Sequence, residues 1–292
     1  MDIIQYENYQ EKEVGADPSF PYQTYICSIP LDFIEVPLHW HDEVEFIYIK
    51  KGKGRIAVDF QYYDVSERDI ILVLPGQLHS IGQSQGEVME YENIIFQYNL
   101  LLSRQPDICG KEYLLPLFQQ QLNVPTLFSP NDTGYTSIAG CLDDIDSIRH
   151  TFPPGYQLFT KGKLFELFFG LLSTCSNSEP VHNSRRLNMD KTRQILKYME
   201  QHYAEKISIE TIANVTGFSE SHFMKFFKSA LGTSFTAYLN DYRLTMASRL
   251  LLASDDPIIG IAEDTGFDNL SYFNRSFKKK FGMTPSEFRK TH

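Results

Sequence analysis

The stretch His39-Trp40-His41-Asp42-Glu43-Val44-Glu45 concentrates two imidazoles and several carboxylates within seven residues. Residues 39, 41 and 45 share parity, so an extended strand would project all three from one face. Further on, Pro75-Gly76-Gln77-Leu78-His79 supplies a third imidazole from what reads as a neighbouring strand. His39, His41, Glu45 and His79 together admit three chemistries. They can hold a divalent metal, since imidazole nitrogens and a carboxylate suit such ions. The same groups can hydrogen-bond the hydroxyls of a small effector. A structural reading has His39 and His41 capping the strand and pairing with Glu45. Trp40, Tyr48, Tyr62 and Tyr63 stand nearby in sequence, and their rings could stack on a sugar face.

A second set of residues recurs. IANVTGFSESHFMKFFKSALG begins at Ile212, and IAEDTGFDNLSYFNRSFKKKFG begins at Ile261, an offset of 49. Gly217 and Gly266 stand where a left-handed helix terminus favours glycine. Phe218 or Phe267 would then plug the angle between two helices. Ser219 in the first copy, and Asp268 or Asn269 in the second, can cap the next helix. In that helix Phe223 and Phe227, and likewise Phe273 and Phe277, are four apart and define a core face. The opposite face presents Glu220, Ser221, Met224, Lys225 and Lys228 in one copy. In the other it presents Leu270, Ser271, Asn274, Arg275 and Lys278. Arg, Lys and Asn can donate to base edges or phosphates, Ser lets backbones approach, and Met224 or Leu270 could touch a thymine methyl. Helix, glycine turn and second helix make a helix-turn-helix, whose second helix can lie in a major groove.

These residues need elements to position them. From about Tyr22 to Tyr98, VEFIYIKKG, GRIAVDFQYYDV, RDIILVLPG and ENIIFQYN read as closely spaced strands of an antiparallel sandwich or barrel. From about Thr136 the period becomes helical at Ile138, Leu142, Ile145 and Ile148. After Pro153-Pro154-Gly155 comes a second helix, apolar almost all round between Leu164 and Leu172. It is expected to be buried on more than one side, covering the sheet or pairing with a second copy. Residues 176–188 (SNSEPVHNSRRLN) read as a linker. Ser234 to Ser254 reads as one long helix with an apolar stripe at Leu239, Leu244, Ala247, Leu250 and Leu251. It would hold the two reading heads ~34 Å apart, on successive groove segments of one duplex face.

The residues from Ile212 to Arg289 resemble the AraC/XylS type of transcription regulators. The likeness rests on R-L-x-x-A-x-x-L-L (Arg243 to Leu251), I-A-x-x-x-G-F (Ile261 to Phe267), S-Y-F-x-R-x-F-K (Ser271 to Lys278) and G-M-T-P-x-x-F-R (Gly282 to Arg289). It implies two helix-turn-helix subdomains on a linker helix, with Ser221, Met224, Lys225, Asn274 and Arg275 approaching promoter DNA. Met224 departs from the polar residue often found there. H-x-H-x3-E-x6-G (His39 to Gly52) followed by P-G-x-x-H (Pro75 to His79) resembles the two motifs of cupin barrels, with Arg68 where a glycine often stands. Cupins with this full set hold a metal on three His and one Glu. Sensor cupins attached to AraC-type units are more commonly ligand cages, often for sugars.

Charge is divided accordingly. The whole chain carries −10, but residues 189–292 hold 14 Lys and Arg against 12 Asp and Glu. The acidic balance therefore lies before them, which leaves the C-terminal part free to meet a polyanion. Four scattered cysteines and no C-x-x-C pair fit a reducing cytosol. The opening MDIIQYENYQEKEV lacks a basic n-region and an apolar h-region, so no signal peptide is expected, nor any membrane partner. The fold class expected is α+β multidomain. A cupin-like β-barrel sensor over 1–135 is followed by a helical dimerisation or cover segment (136–176), a linker (177–188) and an all-α double helix-turn-helix (189–292). The function expected is a cytoplasmic, homodimeric, effector-responsive regulator and not an enzyme. It would be an activator working with RNA polymerase, bind a sugar or sugar derivative at His39, Trp40, His41, Glu45, Tyr48 and His79, and require no cofactor. A divalent metal at His39, His41, Glu45 and His79 is the alternative filling of that site. The alternative functions are a cupin metalloenzyme fused to a DNA-binding domain, and a dimeric regulator without an effector.

Overall fold

Runs of β-branched and aromatic residues in the first hundred positions pair as antiparallel strands, and the apolar helices that follow cover one of their faces. In the computed structural model the described residues are 19–32, 35–84, 86–149, 151–175 and 183–291, with backbone alone for 183–188 and 291. They divide into two compact units.

One unit runs to Pro30 and from Trp40 to His182. Its strands are β1 (Tyr22–Ile29), β3 (Val44–Val58), β4 (Gln61–Ser66), β5 (Ile70–Val73), β6 (His79–Gln83), β7 (Met89–Phe96) and β8 (Leu127–Phe128). They run in the order β1-β7-β3-β5-β8, with β4 and β6 on the second half of β3. VEFIYIKKG and the start of GRIAVDFQYYDV are therefore one 15-residue strand, not two. The pairing of β3 with β7 shifts between Ile49 and Lys51. Such a bulge bends the strand and reverses which alternate residues face inward. GRIAVDFQYYDV itself breaks at Asp59 and Phe60, both with positive φ. This is a two-residue hairpin turn without the usual Gly.

Alternate residues of the sheet separate two environments. Phe46, Tyr48, Leu72, Ile94 and Phe96 face α2 (Tyr135–Ile148) and α3 (Tyr156–Leu172), packing with Ile138, Leu142, Leu164 and Phe168. Each fully buried side chain of this size contributes about 1.5–3 kcal/mol. A short α1 (Leu115–Phe118) adds Leu117 and Phe118 to the same core. Within the single chain, Leu164, Leu167, Phe168 and Leu171 of the Leu164–Leu172 stretch are buried against the sheet, while Phe165 is 39% and Phe169 79% exposed, as Leu158 and Phe159 also are before them. One stripe of the helix fills the core and another faces outward.

The second unit comprises Leu31–His39 and Asn183–His292. It contains β2 (Glu35–His39) and the helices α4 (Asn183–His202), α5 (Ile209–Thr216), α6 (Glu220–Leu231), α7 (Phe235–Ala253), α8 (Ile258–Asp264), α9 (Leu270–Phe281) and α10 (Pro285–Thr291). Helix α4 starts at Asn183, six residues before the boundary read from the sequence, and residues 176–182 lie outside those described. Ser234 caps α7 and Ser254 ends it, as the expected helix has it. Glu35 enters this unit through its carboxylate, which accepts from Lys280 Nζ at 2.8 Å and Thr245 Oγ1 at 2.9 Å. Burial alone would raise its pKa, but the Lys280 charge and these bonds hold it below the usual carboxylate range.

Candidate functional site

The His39-to-Glu45 stretch is not one strand. β2 ends at His39, β3 begins at Val44, and a turn carries His41 between them. Parity along a strand therefore has no bearing on His39 and His41; the turn brings His41 back over Glu45. It is fixed from the other side, where Gly76 N donates to the His41 carbonyl at 2.7 Å. The Pro75–His79 loop is tied in turn to the Asp59 hairpin. Gln77 Nε2 and Leu78 N both donate to the Asp59 carboxylate, at 2.8 and 3.1 Å, and Gln77 Oε1 accepts from Leu74 N at 2.7 Å. These bonds offset the cost of positive φ at Asp59 and set where β6, and so His79, begins.

Glu45 is the centre of the arrangement. Its Oε2 lies 3.1 Å from His41 Nε2 and 2.9 Å from His79 Nε2, with Glu45 and His79 buried. The two rings meet edge to face, 4.9 Å between centroids. Burial pushes the Glu45 carboxyl upward, but the His79 charge and hydrogen bonds from both rings outweigh it, holding the pKa well below the usual range. Burial lowers the pKa of His41, yet its bond to Glu45 and the charges of Glu45 and Glu43 raise it overall. Nδ1 of His79 lies 3.0 Å from the Gln77 carbonyl and Nδ1 of His39 lies 2.9 Å from that of Pro37. A carbonyl only accepts, so both Nδ1 atoms carry protons, and His79 turns its Nε2 to the Glu45 carboxylate.

Strand register identifies further polar residues on the Glu45 side of the sheet. Glu45 pairs with Ile95, Ile47 with Asn93 and Ile49 with Tyr91, while Asn93 pairs with Tyr25 on β1. Residues opposite one another share a face. Asn93 Nδ2 donates to Tyr25 Oη at 3.1 Å, and Asn93 and Tyr91 are buried. Motif spacing does not reveal these three; a burial pattern with Asn inside an apolar run, E-N-I-I-F, is the signal that could have. Tyr48, in contrast, is removed from the expected pocket. Three residues from Glu45 on one strand, it leaves by the opposite face into the core beneath the helices, with Lys50 Nζ 4.0 Å from its ring centroid. Trp40 is half-buried in the turn beside His41, whereas Tyr62 is 72% exposed on β4.

In the helical unit the repeat folds as two helix-turn-helix motifs, α5–α6 and α8–α9. Gly217 and Gly266 have φ of +69° and +82°. Ser219 Oγ accepts from His222 N at 3.3 Å, and Asn269, rather than Asp268, accepts from Tyr272 N at 2.8 Å. Phe223, Phe227, Phe273 and Phe277 are buried, as the four-residue spacing requires. On the opposite faces Ser221, Met224, Lys225 and Lys228, and Leu270, Ser271, Arg275 and Lys278, are exposed, with Asn274 half-buried. Tyr272, absent from the sequence expectation, is 42% exposed beside Arg275, whose Cζ is 5.8 Å from its ring. Lys280 points away from this face, to Asp241 at 2.6 Å and Glu35.

Residues 33–123 match the family described as AraC-like ligand binding domain, and residues 212–291 match a helix-turn-helix domain family. The HTH-type transcriptional regulator YdeC of Bacillus subtilis is 26% identical over 263 residues, 87% of this chain and 86% of its own. The HTH-type transcriptional activator RhaS of an Enterobacter species is 26% identical over 258 residues, 87% of each. Among solved structures, ToxT of Vibrio cholerae with an unsaturated fatty acid bound shares the fold over 92% of this chain and 95% of its own, at 15% identity and a TM-score of 0.50. No helix among the described residues is long and apolar enough to cross a membrane.

Proposed function

The chain belongs to the AraC-type transcription regulators, DNA-binding proteins with a ligand-binding domain and not enzymes, and from that premise we propose that it is a homodimeric activator acting in the cytoplasm and switched by a sugar-like effector held around Glu45. The observation that carries this reading is the buried Glu45 carboxylate bridging His41 and His79, with Asn93, Tyr91 and Tyr25 on the same side of the sheet. Such a mixture of donors and acceptors suits vicinal hydroxyls, which both give and take hydrogen bonds. The route to the reading heads is along the chain. Six residues before His41, Glu35 is bonded to Lys280 of α9 and Thr245 of α7. The likeness to RhaS, a transcriptional activator, supports raised transcription, which brings RNA polymerase in as a partner. A second copy is the occupant for the outward stripe of α3, where Leu158, Phe165 and Phe169 recur at helical spacing.

Thermal melting across a panel of monosaccharides and sugar acids tests the effector. At a hundred times its Kd a true effector stabilises the folded unit by about 2.7 kcal/mol, a rise of several degrees. His41→Ala should abolish the rise while leaving promoter DNA binding intact; a rise retained in that variant removes His41 from the site. For the dimer, sedimentation of Phe169→Asp should give a monomer, and an unchanged dimer would move the interface elsewhere.

A second reading has its own support. The Nδ1 protons of His39 and His79 are held by backbone carbonyls, the arrangement that orients Nε2 toward a metal. His41, His79 and Glu45 would then hold a divalent cation, which would supply Lewis acidity or anchor an effector's oxygen atoms. Metal analysis of purified protein separates the readings: a stoichiometric cation lost in His79→Ala favours the second.

A further inference from the structure

The two helix-turn-helix motifs share one helix. The first half of α7 packs on the first motif, with the Phe235 ring 5.5 Å from Phe223 and 5.4 Å from Phe227. Its second half packs on the second motif, where Leu244, Ala247 and Leu251 join Ile261, Phe267, Phe273 and Phe277. A rod of 19 residues, about 28 Å long, fixes a distance between its ends. By itself it leaves each head able to rock about the apolar face that holds it, since such packing is non-directional.

Arg243 sits where the two halves of α7 meet. Its Nε donates to the Tyr203 carbonyl at 2.7 Å and its Nη2 to the Glu205 carbonyl at 2.7 Å. Those carbonyls belong to the turn between α4 and α5, on the first motif's side; α4 is tied to α5 where Lys191 Nζ donates to the Thr216 carbonyl at 2.8 Å. The Tyr203 ring also meets Tyr242 edge to face, 5.5 Å between centroids. The same turn is pressed against the second motif. A Cβ on Gly266 would fall 2.8 Å from the Tyr203 carbonyl oxygen, 2.9 Å from that of Ala204 and 2.9 Å from Arg243 Cζ. At Gly217, the equivalent glycine of the first motif, a Cβ would meet nothing within 4 Å. The contact is thus specific to one copy of the repeat, and Arg243 lies at its centre.

We propose that Arg243 is a positioning residue that clamps the α4–α5 turn between α7 and the Gly266 turn, locks the two motifs into one rigid reader, and thereby sets the spacing of the two DNA boxes the protein accepts. The planar fork presents separate donors to the two carbonyls at a fixed spacing, which a lysine ammonium on its flexible stem does not. Nothing in this role requires Arg243 to touch DNA.

The test uses the full chain and a two-box duplex selected by the wild-type protein from a random pool. Two derivatives accompany it: one with a base pair inserted between the boxes, and one with the second box scrambled. The wild type should bind the inserted duplex on the order of tenfold more weakly than the selected one, because one added base pair shifts the second box by about 3.4 Å and turns it by about 34°. Arg243→Lys and Arg243→Gln should bind the selected duplex on the order of tenfold more weakly, as expected for losing charge-assisted bonds. Both should discriminate selected from inserted duplex by no more than about twofold, within the scatter expected of a surface change. Their affinity for the scrambled duplex, where one head binds alone, should match the wild type's. Wild-type discrimination retained in both variants would overturn the proposal. So would an equal loss on the scrambled duplex, because Arg243 would then be holding a single head together rather than joining two.

Discussion

The two helix-turn-helix motifs start from nearly the same residues and end in different surroundings. Both turn on a glycine with positive φ, and both bury a pair of phenylalanines four apart. In the first, Gly217 faces open space and Phe218 is only half-buried, resting on His222 and Phe226. In the second, Gly266 is wedged against the Tyr203–Ala204 backbone and Phe267 is 4% exposed. A turn motif thus states a local conformation, whereas what leans on that turn decides how rigidly the following helix is aimed. The second reading helix, α9, is the more firmly set.

The largest test of that difference is the glycine pair. Gly217→Ala should cost about 1–2 kcal/mol, the penalty of a left-handed backbone with a Cβ. Gly266→Ala pays the same and adds an overpacking cost of about 1–3 kcal/mol, because its Cβ meets backbone that cannot swing aside. Urea unfolding of the helical unit measures both, and equal costs would mean that the wedge at Gly266 relaxes freely.

Next comes the reading face. Arg275 on α9 should act as a base reader: Arg275→Ala should weaken binding to the selected site by about 1–3 kcal/mol and relax preference at one position. On the less firmly held α6, Met224 offers only methyl contact, so Met224→Ala should cost about 1 kcal/mol or less. Competition binding over single-base variants of the site compares them. A larger loss at Met224 would reverse the ranking of the two heads.

How much of this was legible without coordinates follows from which interactions are local. The repeat was readable because each of its signals acts within one turn of helix: glycine at the C-terminus, a Ser or Asn cap, phenylalanines four apart. The ends of α7 at Ser234 and Ser254 were readable for the same reason. The sensor site was half readable. His41, Glu45 and His79 do meet, but through a turn and a hairpin anchor at Asp59, not along a strand. Asn93, Tyr91 and Tyr25 escaped notice because only the pairing of β7 with β1 and β3 decides their face. Tyr48 was open to correction from alternation alone, since it lies three residues from Glu45. The exposed stripe of α3 was hidden because an all-round apolar sequence does not say which side stays open. Arg243 belongs to a motif, yet its two carbonyl partners lie 38 and 40 residues away, and nothing in spacing points to them.

The smallest expected difference lies in the caps, and it probes the comparison where tertiary support is absent. Ser219 and Asn269 each satisfy one amide at the start of a reading helix, Ser219 at 3.3 Å and Asn269 at 2.8 Å. The shorter bond is the stronger, so Asn269→Ala should cost about 1 kcal/mol and Ser219→Ala about 0.5 kcal/mol, both within the range for lost caps. The consequence for dynamics should run the other way. Helix α9 is supported by a wedged turn and a buried Phe267, so losing its cap frays only its first amides. Helix α6 follows an open glycine, so fraying should pass further along it. Amide hydrogen exchange reads this directly, as faster exchange at His222, Phe223 and Met224 in Ser219→Ala than at the equivalent Tyr272, Phe273 and Asn274 in Asn269→Ala. Exchange that rises equally in both helices would mean that the support behind Gly266 does not reach the helix it precedes.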